Sequence, residues 1–284
     1  MYRLIAFDMD GTLLNDRKEI GARTKAAIER AAGAGKCVAY CTGRALMEIE
    51  EFIAQVPAMR YAVLNNGAAL WDLKERKKLL KLTLEPGLVG QVLELVGPEE
   101  YLIQTYRDAM EYSDLSAERL TACGMGQYRE GYFRMGVRIV PELGRLLRQP
   151  HEPLEKLALH FPGQAARLAA KARIEAAGLP VNINFGNRYS LEFTTPGCTK
   201  ALGLRRLAEL LNVPMSEVIA VGDSENDNEA VALAGLGIAM ANGTEELKGL
   251  ADVITEADNN HDGCAEAIER YLLGTEQTRK REKP

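Results

Sequence analysis

The fold is decided by the stretch Leu4-Ile5-Ala6-Phe7-Asp8-Met9-Asp10-Gly11-Thr12-Leu13-Leu14. Its first four residues are apolar, which is typical of a strand that is buried on both faces of a parallel sheet. Asp8 and Asp10 follow where the strand ends, and residues two apart in extended backbone point the same way, so we expect both carboxylates to face one spot. Gly11 permits a turn there. Because open α/β sheets bind ligands beyond the carboxyl ends of their strands, the stretch predicts a functional site.

Strands and helices alternate on both sides of a central change in pattern. The apolar segments 36–41 and 61–64 predict two more strands, and the spacing over 22–34 predicts a helix between the first two. The alternation resumes at Thr195-Pro196, where we expect Thr195 to cap a helix that carries Lys200. The fold class is therefore predicted as α/β, with a Rossmann-like, doubly wound parallel sheet built from 1–82 and 190–284.

The segment 83–189 has a different character and is predicted to be an inserted α+β domain. It lacks the polar clusters that end the strands elsewhere. Its periodicity predicts two helices and several strands. The helices are expected at 85–96 and 163–177, and the strands at 134–140, 156–161, 181–185 and 189–193. We expect this domain to close over the site and to select the substrate.

Composition excludes several classes of function. The chain has 284 residues and a net charge of −5, so no basic field is available for nucleic acid or an anionic membrane surface. Five cysteines without a Cys-x-x-Cys motif argue against a disulfide framework or a zinc site. We see no secretory signal and no apolar run that is long enough to span a membrane, so a cytoplasmic protein is the expectation. The oligomeric state is left open.

Polar residues gather where the predicted strands end or helices begin. They form four clusters, which are Asp8 with Asp10, Thr42 with Gly43, Lys200, and Asp223 with Asn226 and Asp227. Carboxylates at one sheet edge repel each other unless a cation lies among them, and Mg²⁺ prefers such oxygen ligands. A threonine hydroxyl, a glycine N–H and a lysine suit phosphate oxygens. Singly, Thr42-Gly43 is more often a turn and Lys200 more often a solvated lysine, and the residues from Asp223 to Asp227 are as easily a helix cap. Together the four clusters predict a phosphoryl-transfer site.

The pattern resembles the haloacid dehalogenase superfamily, and most of all its Cof-type branch, subfamily IIB, of sugar-phosphate and small-metabolite phosphatases. The resemblance covers the whole chain. It rests on four segments that look like the four motifs of the family, and on an insertion where the family has a C2-type cap. The four are Asp8-Met9-Asp10-Gly11-Thr12, Thr42-Gly43-Arg44, Lys200 and Gly222-Asp223-Ser224-Glu225-Asn226-Asp227. Asn65-Asn66-Gly67-Ala68 and Asp262-Gly263 also fit this branch.

The resemblance implies a role for each motif residue. Asp8 is implied as the nucleophile, and Asp10 as the acid that protonates the leaving oxygen and then activates water. We expect the pKa of Asp10 to be raised by a neighbouring carboxylate. The remaining roles are implied as a set. Mg²⁺ would be held by the Asp8 carboxylate, the Asp10 carbonyl and Asp223; phosphate by Thr42, Gly43, Lys200, Asn226 and the Met9 backbone; and Asp227 would orient Lys200 or a metal-bound water.

The predicted function is a Mg²⁺-dependent phosphatase that acts on small phosphorylated metabolites through an aspartyl-phosphate. Two alternatives stay open, namely a phosphomutase of the same superfamily and a phospholigand-binding protein without catalysis. A dinucleotide-binding oxidoreductase is disfavoured because the first strand leads into Asp-Met-Asp-Gly-Thr, without the Gly-x-Gly-x-x-Gly turn.

Overall fold

A computed structural model describes residues 1–97, 101–123, 126, 136–186 and 189–274. The chain divides into two compact units. Unit 1 comprises Met1–Arg44, Ile49–Leu80 and Thr199–Pro284, and unit 2 comprises Ala45–Glu48 and Lys81–Cys198. None of the helices in the described ranges is long and apolar enough to cross a membrane.

The sheet of unit 1 is mainly parallel, as the apolar runs predict. Its strands are β1 (Leu4–Phe7), β2 (Cys37–Cys41), β3 (Tyr61–Leu64), β4 (Ala69–Asp72), β5 (Lys77–Lys81), β12 (Val218–Gly222), β13 (Leu236–Ala239) and β14 (Val253–Ile254). Among the described residues the strand order is β14-β13-β12-β1-β2-β3-β4-β5. The neighbours from β14 to β3 are parallel, and β4 runs antiparallel to β3.

Helices connect these strands and bury the sheet. They are α1 (Ala22–Gly33), α2 (Leu46–Gln55), α7 (Lys200–Leu210), α8 (Asn228–Leu233), α9 (Glu245–Leu250) and α10 (Gly263–Ala267), which continues as a π-helical turn over Ile268–Leu272. Every residue of β1 and of β12 is buried. One core cluster joins Leu4 and Val218 of these strands to Leu204 and Leu207 of α7. The α/β fold class is thus confirmed.

Unit 2 is an α+β unit with a second sheet. Its strands are β6 (Leu102–Arg107), β7 (Met110–Ser113), β8 (Arg138–Ile139), β9 (Lys156–His160), β10 (Asn182–Asn184) and β11 (Ser190–Thr194). Among the described residues the strand order is β10-β11-β9-β6-β7-β8, and every pair is antiparallel except the last. Its helices are α3 (Pro86–Val96), α4 (Ala117–Ala122), α5 (Leu143–Leu146) and α6 (Gln164–Ala176).

The two faces of the second sheet differ in polarity. Ile103, Leu159 and Phe193 point to one face and share a core with residues of α3 and α6. The alternate positions carry buried polar side chains, among them Gln104 and Lys156. This alternation follows from the period of two in a strand.

Several features differ from the sequence-based expectations. The strands β4, β5, β6 and β7 were not predicted, and β4 in particular is a short antiparallel strand after β3 with no helical crossover to mark it. The strand expected at 134–140 is observed only at Arg138–Ile139, and 134–135 lie outside the described residues. Residues 190–194, assigned to the core from sequence, form β11 and pair with β9 in unit 2.

The start of α7 was also predicted wrongly. Thr195 does not cap a helix; its carbonyl accepts a hydrogen bond from the N–H of Cys198 at 3.1 Å. Pro196 and Gly197 occupy the central positions of this turn, and Gly197 has φ of 72°, which favours a type II turn. The helix begins at Lys200, and Thr199 caps it by accepting from the N–H of Leu202 at 3.2 Å.

Candidate active site

The site of unit 1 is assembled where neighbouring strands end. β1 lies between β2 and β12, with Phe7 opposite Tyr40 on one side and Val221 on the other. The N–H of Asp8 still donates to the carbonyl of Val221 at 3.0 Å, which extends the pairing by one residue. The residues after the three strands, Asp8, Thr42 and Asp223, therefore emerge at the same edge of the sheet.

Lys200 is the cation at the centre of the site. Its Nζ lies 2.8 Å from Asp8 Oδ1 and 2.7 Å from Asp227 Oδ1, and it donates to Asn226 Oδ1 at 3.2 Å. The lysine side chain is 0% exposed. Burial disfavours its charge, but the carboxylates of Asp227 and Asp8 outweigh burial and raise the pKa of Lys200. The ammonium is therefore a fixed positive charge at the end of β1.

Asp8, Asp223 and Asp227 form an acidic cluster around this lysine. One carboxylate oxygen from each lies within 4.8 Å of the others. Burial, then Asp227 and Asp223, raise the pKa of Asp8 to about 8, against the opposing effect of Lys200. Burial, then Asp227, raise the pKa of Asp223 to about 6, although the Thr12 hydroxyl donates to Asp223 Oδ1 at 2.9 Å. The carboxylates are held closer together than their charges favour.

This donor set fits a hard divalent cation such as Mg²⁺, because the cluster offers carboxylate oxygens and a cation would offset their repulsion. Asp227 differs from the other two, since both of its oxygens are engaged. Oδ1 accepts from Lys200, and Oδ2 accepts from the N–H groups of Asp223 at 3.1 Å and Ser224 at 3.2 Å. Its contacts suit the orienting role implied by the sequence better than a place among the metal ligands.

Asp10 contacts cations instead of carboxylates. Arg44 donates from Nε to Oδ2 and from Nη2 to Oδ1, each at 2.7 Å, and Lys18 Nζ donates to Oδ1 at 2.7 Å. Burial opposes the charge of Asp10, but Arg44 and Lys18 outweigh it and hold the pKa of Asp10 well below its usual range. The expectation of a raised pKa is therefore contradicted, because two cations lie beside Asp10 and their effect exceeds that of any neighbouring carboxylate.

Arg44 was not assigned a role from the sequence, although it stands in the motif Thr42-Gly43-Arg44, where it could contact phosphate or pair with a carboxylate; the structure shows the pairing with a carboxylate. Lys18 was missed by the sequence reasoning, because it reaches Asp10 from a turn in which its own φ is 60°. A lysine eight residues after Asp10 is normally read as a solvated side chain.

The remaining predicted residues lie around the same strand ends. The Met9 side chain is buried in the core, so that only its backbone is available to a ligand. Thr42 is buried, and its Oγ1 accepts from the N–H of Arg44 at 3.2 Å. Gly11 has φ of 79°, and a Cβ there would lie 2.4 Å from Asp223 Oδ2. A Cβ on Gly43 would lie 2.9 Å from Asn66 Oδ1. Glycine is favoured at both positions because other side chains approach the backbone closely, and at Gly11 because of its positive φ as well.

Comparison with known proteins agrees with this geometry. The family model described as haloacid dehalogenase-like hydrolase matches residues 5–268. The chain is 30% identical over 280 residues to 5-amino-6-(5-phospho-D-ribitylamino)uracil phosphatase YcsE of Bacillus subtilis, with 95% of this chain and 96% of that protein covered. It is 29% identical over 256 residues to HMP-PP phosphatase of Serratia proteamaculans, with 88% of each covered.

A solved structure gives the same result. The haloacid dehalogenase-like hydrolase from Bacteroides thetaiotaomicron superposes with a TM-score of 0.80 at 27% identity, covering 95% of this chain and 99% of that one. Because the family model spans most of the sequence, the chain is a haloacid dehalogenase-like hydrolase of the Cof type, and it is a phosphatase.

Proposed function

We propose that this phosphatase is Mg²⁺-dependent and removes phosphate from small phosphorylated metabolites through an aspartyl-phosphate intermediate. The observation that carries the proposal is the fully buried Lys200, which bridges Asp8, Asn226 and Asp227 at the end of β1. A buried ammonium with two carboxylate partners at a ligand-binding sheet edge supplies fixed positive charge where phosphate charge must be stabilised.

Asp8 and Asp10 divide the proposed chemistry between them. An Asp8 oxygen attacks phosphorus, the bond from phosphorus to the leaving oxygen breaks, and Asp10 gives that oxygen its proton. Water then attacks phosphorus, Asp10 takes the proton, and the bond between Asp8 and phosphorus breaks. The first step requires protonated Asp10, so its contacts with Arg44 and Lys18 must loosen before that step.

The other residues would bind and orient. The Asp8 carboxylate, the Asp10 carbonyl and Asp223 would hold Mg²⁺, which when bound offsets the repulsion between an anionic nucleophile and an anionic phosphate. Thr42, Gly43, Lys200, Asn226 and the backbone of Met9 would hold the phosphate oxygens. Asp227 would keep Lys200 in place through its 2.7 Å contact.

The substrate class and the location in the cell have separate support. YcsE and HMP-PP phosphatase are named for small phosphorylated substrates, which supports a substrate of that class here. All five cysteines are free thiols, as is usual in the reducing cytoplasm, where we place the protein. We further propose that unit 2 reads the part of the substrate beyond the phosphate.

The test is phosphate release from a panel of phosphorylated metabolites and an aryl phosphate, with added Mg²⁺ and with EDTA. The wild type should release phosphate only with Mg²⁺, and Asp8→Asn should remain folded and inactive. Glu209→Gln is the control for the loss of one carboxylate charge, because Glu209 lies on α7 in unit 1, its side chain is 52% exposed, and its ion pair with Arg206 at 2.9 Å is a surface pair of the same helix. Activity of Asp8→Asn within about tenfold of wild type, roughly 1.4 kcal/mol of barrier, would remove Asp8 from its proposed role.

A further inference from the structure

A strained turn follows β3 in unit 1. Asn65, Asn66 and Gly67 have φ values of 51°, 55° and 100°. Left-handed backbone costs an ordinary residue about 1–2 kcal/mol, and consecutive non-glycine residues in it are uncommon, although asparagine tolerates it best. Both asparagines are 2% exposed. Strain of this kind persists where the surrounding structure requires the conformation.

The backbone of this turn holds the loop that contains Thr42 and Gly43. The N–H of Asn65 donates to the carbonyl of Arg44 at 3.0 Å, and the N–H of Asn66 donates to the carbonyl of Thr42 at 3.1 Å. The loop is therefore fixed at both ends by the residues that follow the neighbouring strand.

The side chain of Asn66 contacts Asn226. Asn226 Nδ2 donates to Asn66 Oδ1 at 3.4 Å, while Asn226 Oδ1 accepts from Lys200 at 3.2 Å and from the Ser224 hydroxyl at 3.1 Å. Lysine has donors only, so the carbonyl end of the Asn226 amide must face Lys200 and the NH₂ end must face Asn66. One N–H of the Asn226 amide thereby donates to Asn66, and this hydrogen bond fixes the direction of the other N–H.

The same oxygen of Asn66 lies against Gly43. A Cβ added to Gly43 would come within 2.9 Å of Asn66 Oδ1, so the glycine backbone and the asparagine are in close contact. Two groups that we place on the phosphate, the N–H of Gly43 and the amide of Asn226, are therefore packed on one buried side chain. The Asn66 side chain therefore lies beside both of these groups.

We infer that Asn66 is a positioning residue of the phosphate site, which orients the Asn226 amide and the Gly43 backbone without itself contacting phosphate. The inference rests on the proposed function. Residues that support ligand-contacting groups in this way typically contribute 10–100-fold to affinity or activity, and we expect an effect on the order of tenfold here.

Asn66→Gly isolates this role. Glycine adopts φ of 55° at no steric cost, so the turn should be kept while the side-chain contacts with Asn226 and Gly43 are lost. Asn212→Gly is the matched control, because Asn212 is exposed, has φ of 52° and lies outside the site. Both variants should unfold at nearly the wild-type temperature.

The primary measurement is the affinity for inorganic phosphate in buffer containing Mg²⁺, by calorimetry and by inhibition of aryl phosphate hydrolysis. We expect Asn66→Gly to weaken phosphate binding and to raise KM about tenfold with a smaller change in kcat, and Asn212→Gly to match wild type. In the double variant Asn66→Gly/Asn226→Ala, the loss of affinity should be smaller than the sum of the two single losses, because Asn66 acts in part through Asn226.

Three outcomes would overturn the inference. These are an unchanged phosphate affinity in folded Asn66→Gly, an equal change in Asn212→Gly, and losses that add in the double variant. A wild type that binds phosphate but does not hydrolyse esters would refute the proposed function alone, because the affinity measurement still tests Asn66. A wild type that neither hydrolyses esters nor binds phosphate would refute both.

Discussion

Replacing Lys200 with methionine is the sharpest perturbation that the site offers. Methionine keeps the unbranched chain and the apolar packing of the lysine and removes only the ammonium. The substitution leaves Asp8 and Asp227, whose side chains are 8% and 4% exposed, without their shared cation. We therefore expect Lys200→Met to reduce both the stability of unit 1 and the activity.

The size of both effects follows from burial. Removing one partner of a buried ion pair costs about 3–5 kcal/mol, because the remaining charge is left without compensation. For a domain of this size that loss corresponds to a fall in Tm on the order of 10 °C. Loss of a preorganised electrostatic donor typically lowers kcat by about 10²–10³, so we expect a fall of that order in kcat/KM. Bound Mg²⁺ should recover part of the stability, since it also offsets the charge of Asp8.

The assay is thermal unfolding with and without Mg²⁺, together with steady-state kinetics on an aryl phosphate. Lys248→Met is the control, because Lys248 lies on helix α9 and contacts only the 92% exposed Glu245 among the ion pairs described, at 3.0 Å. An exposed pair of this kind contributes less than about 1 kcal/mol. If Lys200→Met were as stable as Lys248→Met and retained kcat/KM within about tenfold of wild type, Lys200 would not be the cation of a phosphate site.

Three further predictions concern other parts of the chain. Gly11→Ala and Gly35→Ala place alanine at φ of 79° and 73°, so each variant should lose about 1–2 kcal/mol of unfolding free energy. Only Gly11→Ala also brings a Cβ to 2.4 Å from Asp223, so only this variant should need more Mg²⁺ for half-maximal turnover. Burial and then Glu48 raise the pKa of Glu111 to about 8, against the opposing effects of Lys156 and Gln104, so the folded state binds a proton more readily than the unfolded state and stability should fall as pH rises from about 4.5 to 8. Glu111→Gln should remove up to about 1.4 kcal/mol per pH unit from this slope, whereas Glu175→Gln, at an exposed position, should leave the slope unchanged. Substitutions of polar residues in the described parts of 83–189 should alter relative kcat/KM among metabolites while aryl phosphate hydrolysis stays nearly constant, and a scan that leaves every ratio unchanged would remove unit 2 from substrate selection.

The parallel core could be predicted because its signals are local. The four residues of β1 are apolar and buried, and β2 and β3 repeat the pattern with helical crossovers between them. β4 and the start of α7 could not be predicted in the same way. β4 is defined by its pairing with β3. Whether Thr195 or Thr199 caps the helix depends on the φ of Gly197, which the pair Thr195-Pro196 does not reveal.

In the candidate site, likewise, the sequence predicted which residues are present but not all of the contacts that they make. The motifs indicated which residues meet at the sheet edge, and Asp8, Lys200, Asn226 and Asp227 lie in contact there. The partners of Asn66 could not be foreseen, because the hydrogen bond to Asn226 joins residues 160 positions apart in the sequence. Such contacts depend on how the strand ends and loops pack, which a single sequence does not encode locally.

At Asp10 the role implied by the motif conflicts with the contacts that the side chain makes, and this conflict bears on the mechanism. A carboxylate with three charge-assisted hydrogen bonds of 2.7 Å is held as an anion. That state suits the second step of the proposed reaction, in which Asp10 takes a proton from water, and it opposes the first, in which Asp10 must give one. A guanidinium also binds phosphate oxygens in the forked geometry with which Arg44 now binds Asp10. We therefore expect an arriving phosphate to compete with Asp10 for Arg44. The same event that delivers the substrate would release the carboxylate and lessen the charge that keeps it ionised, so that protonation of Asp10 is coupled to occupancy of the site.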